Sequence, residues 1–270
     1  MPLFPFSLFL IPCLGAALAG LCCGLMGSFV MRMNLSSVGF TMSHAAFAGA
    51  ALGLFLQINP MFSAIGLSLL VAALLGPLTE TSRLPANVIM GITFPLTMAL
   101  ALIFLRFAPE TAMSSTALSL LWGSILSITR LDVYYLAALS LSIIVVVGLF
   151  FKEFEAIVFD EKLAESSGIN TRPFFYVILF LTGITVSLSL KLVGGLLVFA
   201  LMINPASAAF QFFYDMRKII VFSPLLGALF ALGGIYLSYL FDLPVGASIA
   251  LISTSLFGLA VTLSPKRRKG

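Results

Sequence analysis

The chain has 270 residues, of which 61% are hydrophobic and only 9% are charged. Soluble globular domains are about 45–50% apolar and about 25% charged, so this chain has too few charged side chains to cover a surface that faces water. The composition therefore excludes an ordinary cytosolic enzyme, a disordered chain and a nucleic-acid binder, although the formal net charge is +4.

Long apolar runs, separated by breaks that contain Pro or Gly, follow one another along the chain. About 20 mostly apolar helical residues are needed to cross a bilayer core of about 30 Å. About nine such runs lie near residues 6–31, 37–57, 61–78, 86–106, 132–151, 172–190, 192–213, 217–240 and 244–264. They predict an all-α integral-membrane fold, a polytopic bundle of about nine transmembrane helices in one domain over residues 1–270.

The basic residues orient this predicted bundle, because cytoplasmic loops are enriched in Lys and Arg. If the C-terminus is cytoplasmic, nine spans place the N-terminus outside. Eleven basic residues then lie on the cytoplasmic side: Arg32, Arg83, Lys152, Lys162, Arg172, Arg217, Lys218, Lys266, Arg267, Arg268 and Lys269. Only Arg106, Arg130 and Lys191 lie outside, so this orientation is the predicted one.

Two connections between the predicted spans are long. The external one, 107–131, contains an apolar piece at 117–128 that we expect to be a re-entrant or interfacial helix. The cytoplasmic one, 152–171, is the most charged segment before the C-terminal tail. There, Asp160 can cap a short helix that Gly168 ends. The small apolar face of that helix is compatible with docking to a soluble partner or with a solvated connector, and the pattern alone leaves both open.

His44, in the second predicted span, is the only histidine. Polar residues inside a membrane are costly and are therefore functional candidates, and neutral imidazole binds zinc, copper, iron and nickel well. The other interpretation is a histidine that forms a hydrogen bond between helices. Softer candidate ligands that also serve as ordinary packing residues are Met42, Cys22, Cys23 and Met26. Close helix packing is predicted by two Gly-x-x-x-Gly pairs, Gly20 with Gly24 and Gly49 with Gly53.

Two further features lie near the end of the chain. Asn204 and Pro205 interrupt the seventh span, where proline removes a backbone donor. They predict either a fixed kink or a hinge along the transport pathway, with Asn204 or Ser207 bonding to the freed backbone group. Asp242, which precedes Pro244, is expected to cap the last span.

Together, these segments resemble the permease subunits of the zinc, manganese and iron ABC importers. The second-span pattern of that family, Gly-Asp-x-x-Ser-His-x-x-x-x-Gly, is matched by Gly39, Ser43, His44 and Gly49. The cytoplasmic loop pattern is matched by Phe159, Asp160, Ala164 and Gly168. Similar blocks occur at residues 121–126 (Leu-Trp-Gly-Ser-Ile-Leu), 194–206 and 242–246. Each block alone is weak evidence, but they keep one order over about 210 residues.

The resemblance implies a transporter subunit of the prokaryotic plasma (inner) membrane and not an enzyme. The chain has no Gly-Lys-Ser/Thr nucleotide-binding loop, which fits ATP hydrolysis by a separate subunit. The implied partners are a cytoplasmic ABC ATPase dimer, an extracytoplasmic metal-binding protein and a second permease copy, identical or not. The 152–171 loop would couple to the ATPase, and His44 would contact the transported metal. No permanently bound cofactor and no nucleic acid are implied.

One departure from the family pattern concerns the cargo. The acidic residue four positions before the histidine is Phe40 here. Residues i and i+4 share a helix face, so the carboxylate that would accompany His44 is missing. Because carboxylate suits manganese, we rank zinc first, then iron or manganese. An ABC permease for a metal chelate or other small cofactor is the second hypothesis. An ATP-independent carrier or a membrane scaffold is the third.

Overall fold

The computed structural model describes residues 6–109, 123–124, 128–195 and 197–266. Within these ranges it contains helices and no strands. In chain order the helices are α1 (Phe6–Arg32), α2 (Ser36–Phe55), α3 (Pro60–Ser82), α4 (Ala86–Phe107), α5 (Arg130–Leu149), α6 (Phe151–Phe159), α7 (Glu161–Ser166), α8 (Thr171–Val193), α9 (Val198–Phe212), α10 (Met216–Phe241) and α11 (Val245–Leu263). The predicted all-α membrane fold is thus confirmed.

Eight of these helices are long and apolar enough to cross a membrane, namely α1 to α5, α8, α10 and α11. The predicted seventh span is shorter than expected. Its first residues belong to α8, which ends at Gly194 with φ of +89°, and α9 begins only at Val198. With 15 residues, α9 is about 22 Å long, less than a bilayer core. The count of nine spans and the orientation of the termini remain predictions.

Helices α1 and α2 organise the bundle. Helix α1 packs against α5, α8, α9 and α10, and α2 packs against α3, α4 and α8. Both predicted glycine pairs mark close helix contacts. A Cβ at Gly20 would overlap the carbonyl oxygen of Gly227, and one at Gly24 would lie 2.5 Å from the carbonyl oxygen of Ser223. Gly49 is equally close to the Ser63 carbonyl. Glycine is therefore needed at these positions for helices to meet.

Basic side chains gather at the end of the bundle that carries α6 and α7. The guanidinium of Arg32 lies 5.1 Å from the ring centre of Phe210. Nζ of Lys266 donates to the Phe210 carbonyl and, at 2.8 Å, to the Phe213 carbonyl, the last carbonyls of α9. Burial and the nearby Arg32 lower the pKa of Lys266 below its usual range. This end of the bundle is the one predicted to be cytoplasmic.

Several predictions fall outside the described residues. Of the expected re-entrant helix at 117–128, the structure describes only Gly123, Ser124 and Ile128. Gly123 has φ of +76°, and the backbone N–H of Ser124 donates to the carbonyl of Lys191. Ser124 is therefore attached to the C-terminal end of α8. The last three basic residues of the tail, at 267–269, also lie outside the described ranges.

Candidate functional site within the membrane

His44 lies near the middle of α2, the most buried of the candidate spans, and its side chain is only 2% exposed. Its Nδ1 atom has no hydrogen-bond partner among the described residues. A buried polar atom without a partner is rare in native structures, and it is costly inside a membrane, where water is absent. The histidine therefore does not act as a hydrogen bond between helices through Nδ1, and this atom is available to a ligand.

Aromatic rings enclose the imidazole on one side. The Phe40 ring lies 4.8 Å from the imidazole, and the Phe94 ring of α4 lies 4.5 Å from it, both edge-on. Phe40 also contacts Phe94 at 4.5 Å and Phe199 of α9 at 5.5 Å. Phe40 thus packs between α2, α4 and α9, at the position where the related pattern has an acidic residue. The wall beside His44 is apolar.

Three buried hydroxyl groups also lack partners in the described part of the chain. They belong to Ser43, next to His44, and to Thr182 and Thr185 on α8. Helix α8 packs directly against α2. Ser43 belongs to the second-span pattern, but sequence reasoning missed the two threonines. The density of Thr and Ser in α8, at positions 182, 185, 187 and 189, was the available signal.

The softer candidate ligands do not complete a metal site around His44. Cys22 Sγ contacts the Leu136 carbonyl oxygen at 3.9 Å, and Cys23 Sγ contacts Ser189 Oγ at 3.7 Å. Over the ranges that the structure describes, no three His, Cys, Asp or Glu side chains are placed to hold a metal ion. One imidazole is the only strong nitrogen ligand that the described interior offers.

Asn204 and Pro205 lie within α9, which continues as a helix through both residues. The Asn204 amide donates to Ser253 Oγ and to Thr254 Oγ1 of α11, both at 3.0 Å. Ser207 contacts the sulfur of Met31 at 3.2 Å. Neither polar side chain is paired with the backbone group freed by Pro205, so that part of the expectation was wrong: the amide joins α9 to α11 instead.

Asp242 was also expected to cap the last span, and this prediction is wrong. Asp242 ends α10 in the left-handed conformation, with φ of +52°, which Asp tolerates better than most residues. Helix α11 begins after Pro244 and has no side-chain cap. A proline at the boundary fixes φ there without a capping side chain.

The cytoplasmic loop forms the short helices α6 and α7. Asp160 begins α7, and its Oδ1 accepts a hydrogen bond from the backbone N–H of Leu163 at 3.0 Å. Gly168 ends this turn with φ of +88°, as the sequence indicates. Ala164 is buried, whereas Phe159 and Leu163 are 78% and 56% exposed. The loop thus presents two large apolar side chains, one at the end of α6 and one on the capped helix α7.

A cavity of about 740 Å³ lies beside α6 and α7. Its lining includes Glu80 of α3 and Arg172 of α8, whose side chains form a 3.4 Å ion pair. Thr171 donates a hydrogen bond to Glu165 of α7 at 2.8 Å. The hydrogen bond joins α7 to the start of α8, a candidate membrane-spanning helix.

A model of the ABC 3 transport family matches residues 6–264. The chain is 32% identical to the manganese transport system membrane protein MntC of Listeria monocytogenes, over 92% of this chain and 88% of the relative. It is 30% identical to the manganese import system permease protein ScaB of Streptococcus gordonii, over 94% and 90%.

Two solved structures share the fold. PsaBC from Streptococcus pneumoniae, solved in complex with Fab, superposes with a TM-score of 0.86 and 28% identity, covering 98% of this chain and 94% of that chain. An inward-facing conformation of a putative metal-chelate type ABC transporter gives a TM-score of 0.77 over 94% and 85%, at 20% identity. The second likeness concerns the fold alone.

Proposed function

The chain belongs to the ABC 3 transport family, and from this premise we propose that it is the permease through which zinc enters a bacterial cell. The chain is a multi-pass protein of the bacterial plasma membrane and a permease subunit of an ABC importer for metal ions. The proposal concerns the cargo, the path and the partners.

The observation that supports a metal path is the buried, unpaired Nδ1 of His44. Its lone pair suits a transition-metal ion, and an imidazole without a carboxylate favours zinc over manganese, which prefers carboxylate, carbonyl and water oxygens. At position 40 a phenyl ring fills the space between Phe94 and Phe199. A carboxylate there is excluded by the sequence itself, and no ordinary ligand for manganese replaces it on that face of α2.

Manganese is the second candidate, because MntC and ScaB carry manganese in their names. A metal chelate is the third, and it needs more space than an ion. The rings of Phe40 and Phe94 lie within 4.8 Å of the imidazole, so a chelate would require these side chains to move. The site as it stands fits a small ion better.

We also propose that Phe159 and Leu163 dock into a cytoplasmic ABC ATPase. A helix that docks in a groove usually does so through exposed apolar side chains. Asp160 and Gly168 would hold this helix in shape, and the buried Ala164 would seat it on the membrane domain. ATP binding would then bias the bundle between outward-open and inward-open states. An extracytoplasmic binding protein and a second permease copy complete the proposed assembly.

The test is metal uptake by proteoliposomes that contain the chain with the ATPase and binding protein encoded beside it. Zinc, manganese, iron and nickel compete with one another, with and without ATP, and His44→Ala serves as the pathway control. We expect ATP-dependent zinc accumulation that His44→Ala abolishes. Preferential manganese accumulation would overturn the zinc proposal. An intact complex that hydrolyses ATP and moves no free ion would favour a chelate.

A further inference from the structure

The hydroxyl groups of Ser43, Thr182 and Thr185 differ from the other buried hydroxyls of the bundle. Their side chains are 1%, 0% and 0% exposed, and they have no partner among the described residues. Other buried hydroxyls do have partners: those of Ser28, Thr41, Ser68, Thr97, Ser187 and Ser223 all donate to carbonyl oxygens. An unpaired hydroxyl is costly in a dry interior, so these three call for a ligand of their own.

The contact between α2 and α3 gives the level of His44 along the bundle axis. Gly49 of α2 packs against the backbone of Ser63 of α3, so these two residues lie at one level. His44 is five residues from Gly49, and Ser68 is five residues from Ser63. Because α2 and α3 are consecutive and antiparallel, both lie about 7.5 Å from that level toward the same end of the bundle. His44 and Ser68 are therefore level with one another.

The contact between α3 and α8 gives the level of the two threonines along the bundle axis. Ser68 Oγ lies 3.3 Å from the Gly183 carbonyl oxygen and 3.0 Å from Ser187 Oγ, which places Thr185, midway between them, at the same level. Thr182 lies three residues before Thr185, about 4.5 Å away along the axis of α8. The unpaired groups of α2 and α8 thus occupy one slice of the bundle, less than one helical turn thick.

Helix α8 has two polar faces, and the unpaired threonines lie on the face that does not bind α3. Gly183 and Ser187 face α3 through Ser68. Thr182, Thr185 and Ser189 follow one another at spacings of three and four and share another face. Ser189 contacts Cys23 of α1, so this face is directed toward α1, and α8 also packs against α2.

We infer that Ser43, Thr182 and Thr185 line the metal path at the level of His44 and hold the water ligands of a partly hydrated divalent ion. The inference rests on the proposed function. Zinc prefers four ligands, yet the described interior offers one imidazole, so water is needed to complete the coordination shell. A hydroxyl accepts a hydrogen bond from metal-bound water and carries no charge that would retain the ion. In this way three neutral groups take the place of the absent carboxylate.

The test uses Thr182→Val and Thr185→Val, which keep the side-chain shape and remove only the hydroxyl. Because no hydrogen bond is lost, we expect the thermal stability of the complex to stay unchanged or rise. Loss of groups that support metal ligands costs about 10- to 100-fold in affinity or activity, and ATP-driven zinc uptake should fall by at least about tenfold. Thr182→Ser and Thr185→Ser should restore it.

Thr97→Val is the matched control, because Thr97 is equally buried but donates to carbonyls of its own helix; its uptake should equal that of the wild type. Uptake by the Val variants within about twofold of the wild type, while His44→Ala is inactive, would overturn the inference alone. Reduced stability in the Val variants would assign the hydroxyls a structural role and overturn it too. A wild-type complex that accumulates no ion would overturn the proposed function and with it this inference.

Discussion

Replacing Asp160 by Ala tests how the cytoplasmic loop couples ATP to transport. The Asp160 carboxylate caps α7 through the Leu163 N–H, and α7 has only six residues. A helix this short has little stability of its own. Removing an N-cap costs about 1 kcal/mol, within a range of about 0.5–2. At 1 kcal/mol, the equilibrium between ordered and frayed α7 shifts by a factor of about five.

We therefore expect Asp160→Ala to lower the number of metal ions transported per ATP by up to about fivefold, because a frayed α7 presents Leu163 to the ATPase less often. The assay measures metal uptake and ATP hydrolysis in the same proteoliposomes. Asp160→Asn preserves the cap, since Asn caps as well as Asp, and should behave like the wild type.

Asn59→Ala is the matched control for lost stability. Asn59 caps α3 through the Met61 N–H at 3.0 Å, and its loss should cost a similar free energy away from the loop without changing the coupling ratio. Unchanged coupling in Asp160→Ala would refute the reasoning. An equal loss of coupling in Asp160→Asn would also refute it, because coupling would then depend on the charge of Asp160 and not on the helix cap.

Three further predictions concern the membrane interior. His44→Ala should reduce uptake to background while the complex still assembles, as size-exclusion chromatography would report. Phe40→Asp should raise manganese uptake relative to zinc by about tenfold, because it adds a hard ligand one turn from the imidazole; an unaltered metal profile in the competition assay would contradict this. Gly20→Val should destabilise the fold by about 3 kcal/mol or more, since its side chain meets the Gly227 backbone; denaturant unfolding in detergent measures the loss.

The sequence was sufficient to predict the membrane fold, because apolar runs and the absence of water in a bilayer leave few structures open to the chain. It was also sufficient for α7, where Asp160 and Gly168 act locally, one at each end of the helix. The predicted length of the seventh span was wrong because local backbone geometry ends a helix there. The apolar run at 192–213 is continuous in composition, but Gly194 takes a positive φ and ends α8. Hydropathy does not indicate which residue of an apolar run takes a positive φ.

The polar part of the site was less accessible to sequence reasoning. A serine or threonine in a helix usually bonds to a carbonyl of the preceding turn, as Thr97 does, and nothing in the sequence distinguishes Thr97 from Thr185. The difference depends on which rotamer the neighbouring helices permit. The same applies to Phe40, whose identity indicated a lost ligand but whose packing between Phe94 and Phe199 is a tertiary property.

Helix α9 connects the site to the rest of the bundle. Its Phe199 contacts Phe40, and its Met202 fills the space above Gly39, so any displacement of α9 moves one wall of the His44 site. The inner end is held by Lys266, which binds the last carbonyls of the helix.

The position of a hinge in α9 follows from what each movement would break. Bending at Pro205 would separate Asn204 from Ser253 and Thr254, at the cost of two hydrogen bonds. A pivot between α8 and α9 would use Gly194, whose positive φ ends α8 and whose lack of a Cβ permits wide rotation. Bending at Asn204 and Pro205, where the sequence predicts a kink or a hinge, therefore costs more free energy than a pivot at Gly194. Comparing transport by Asn204→Ala with transport by Gly194→Ala distinguishes the two hinge positions.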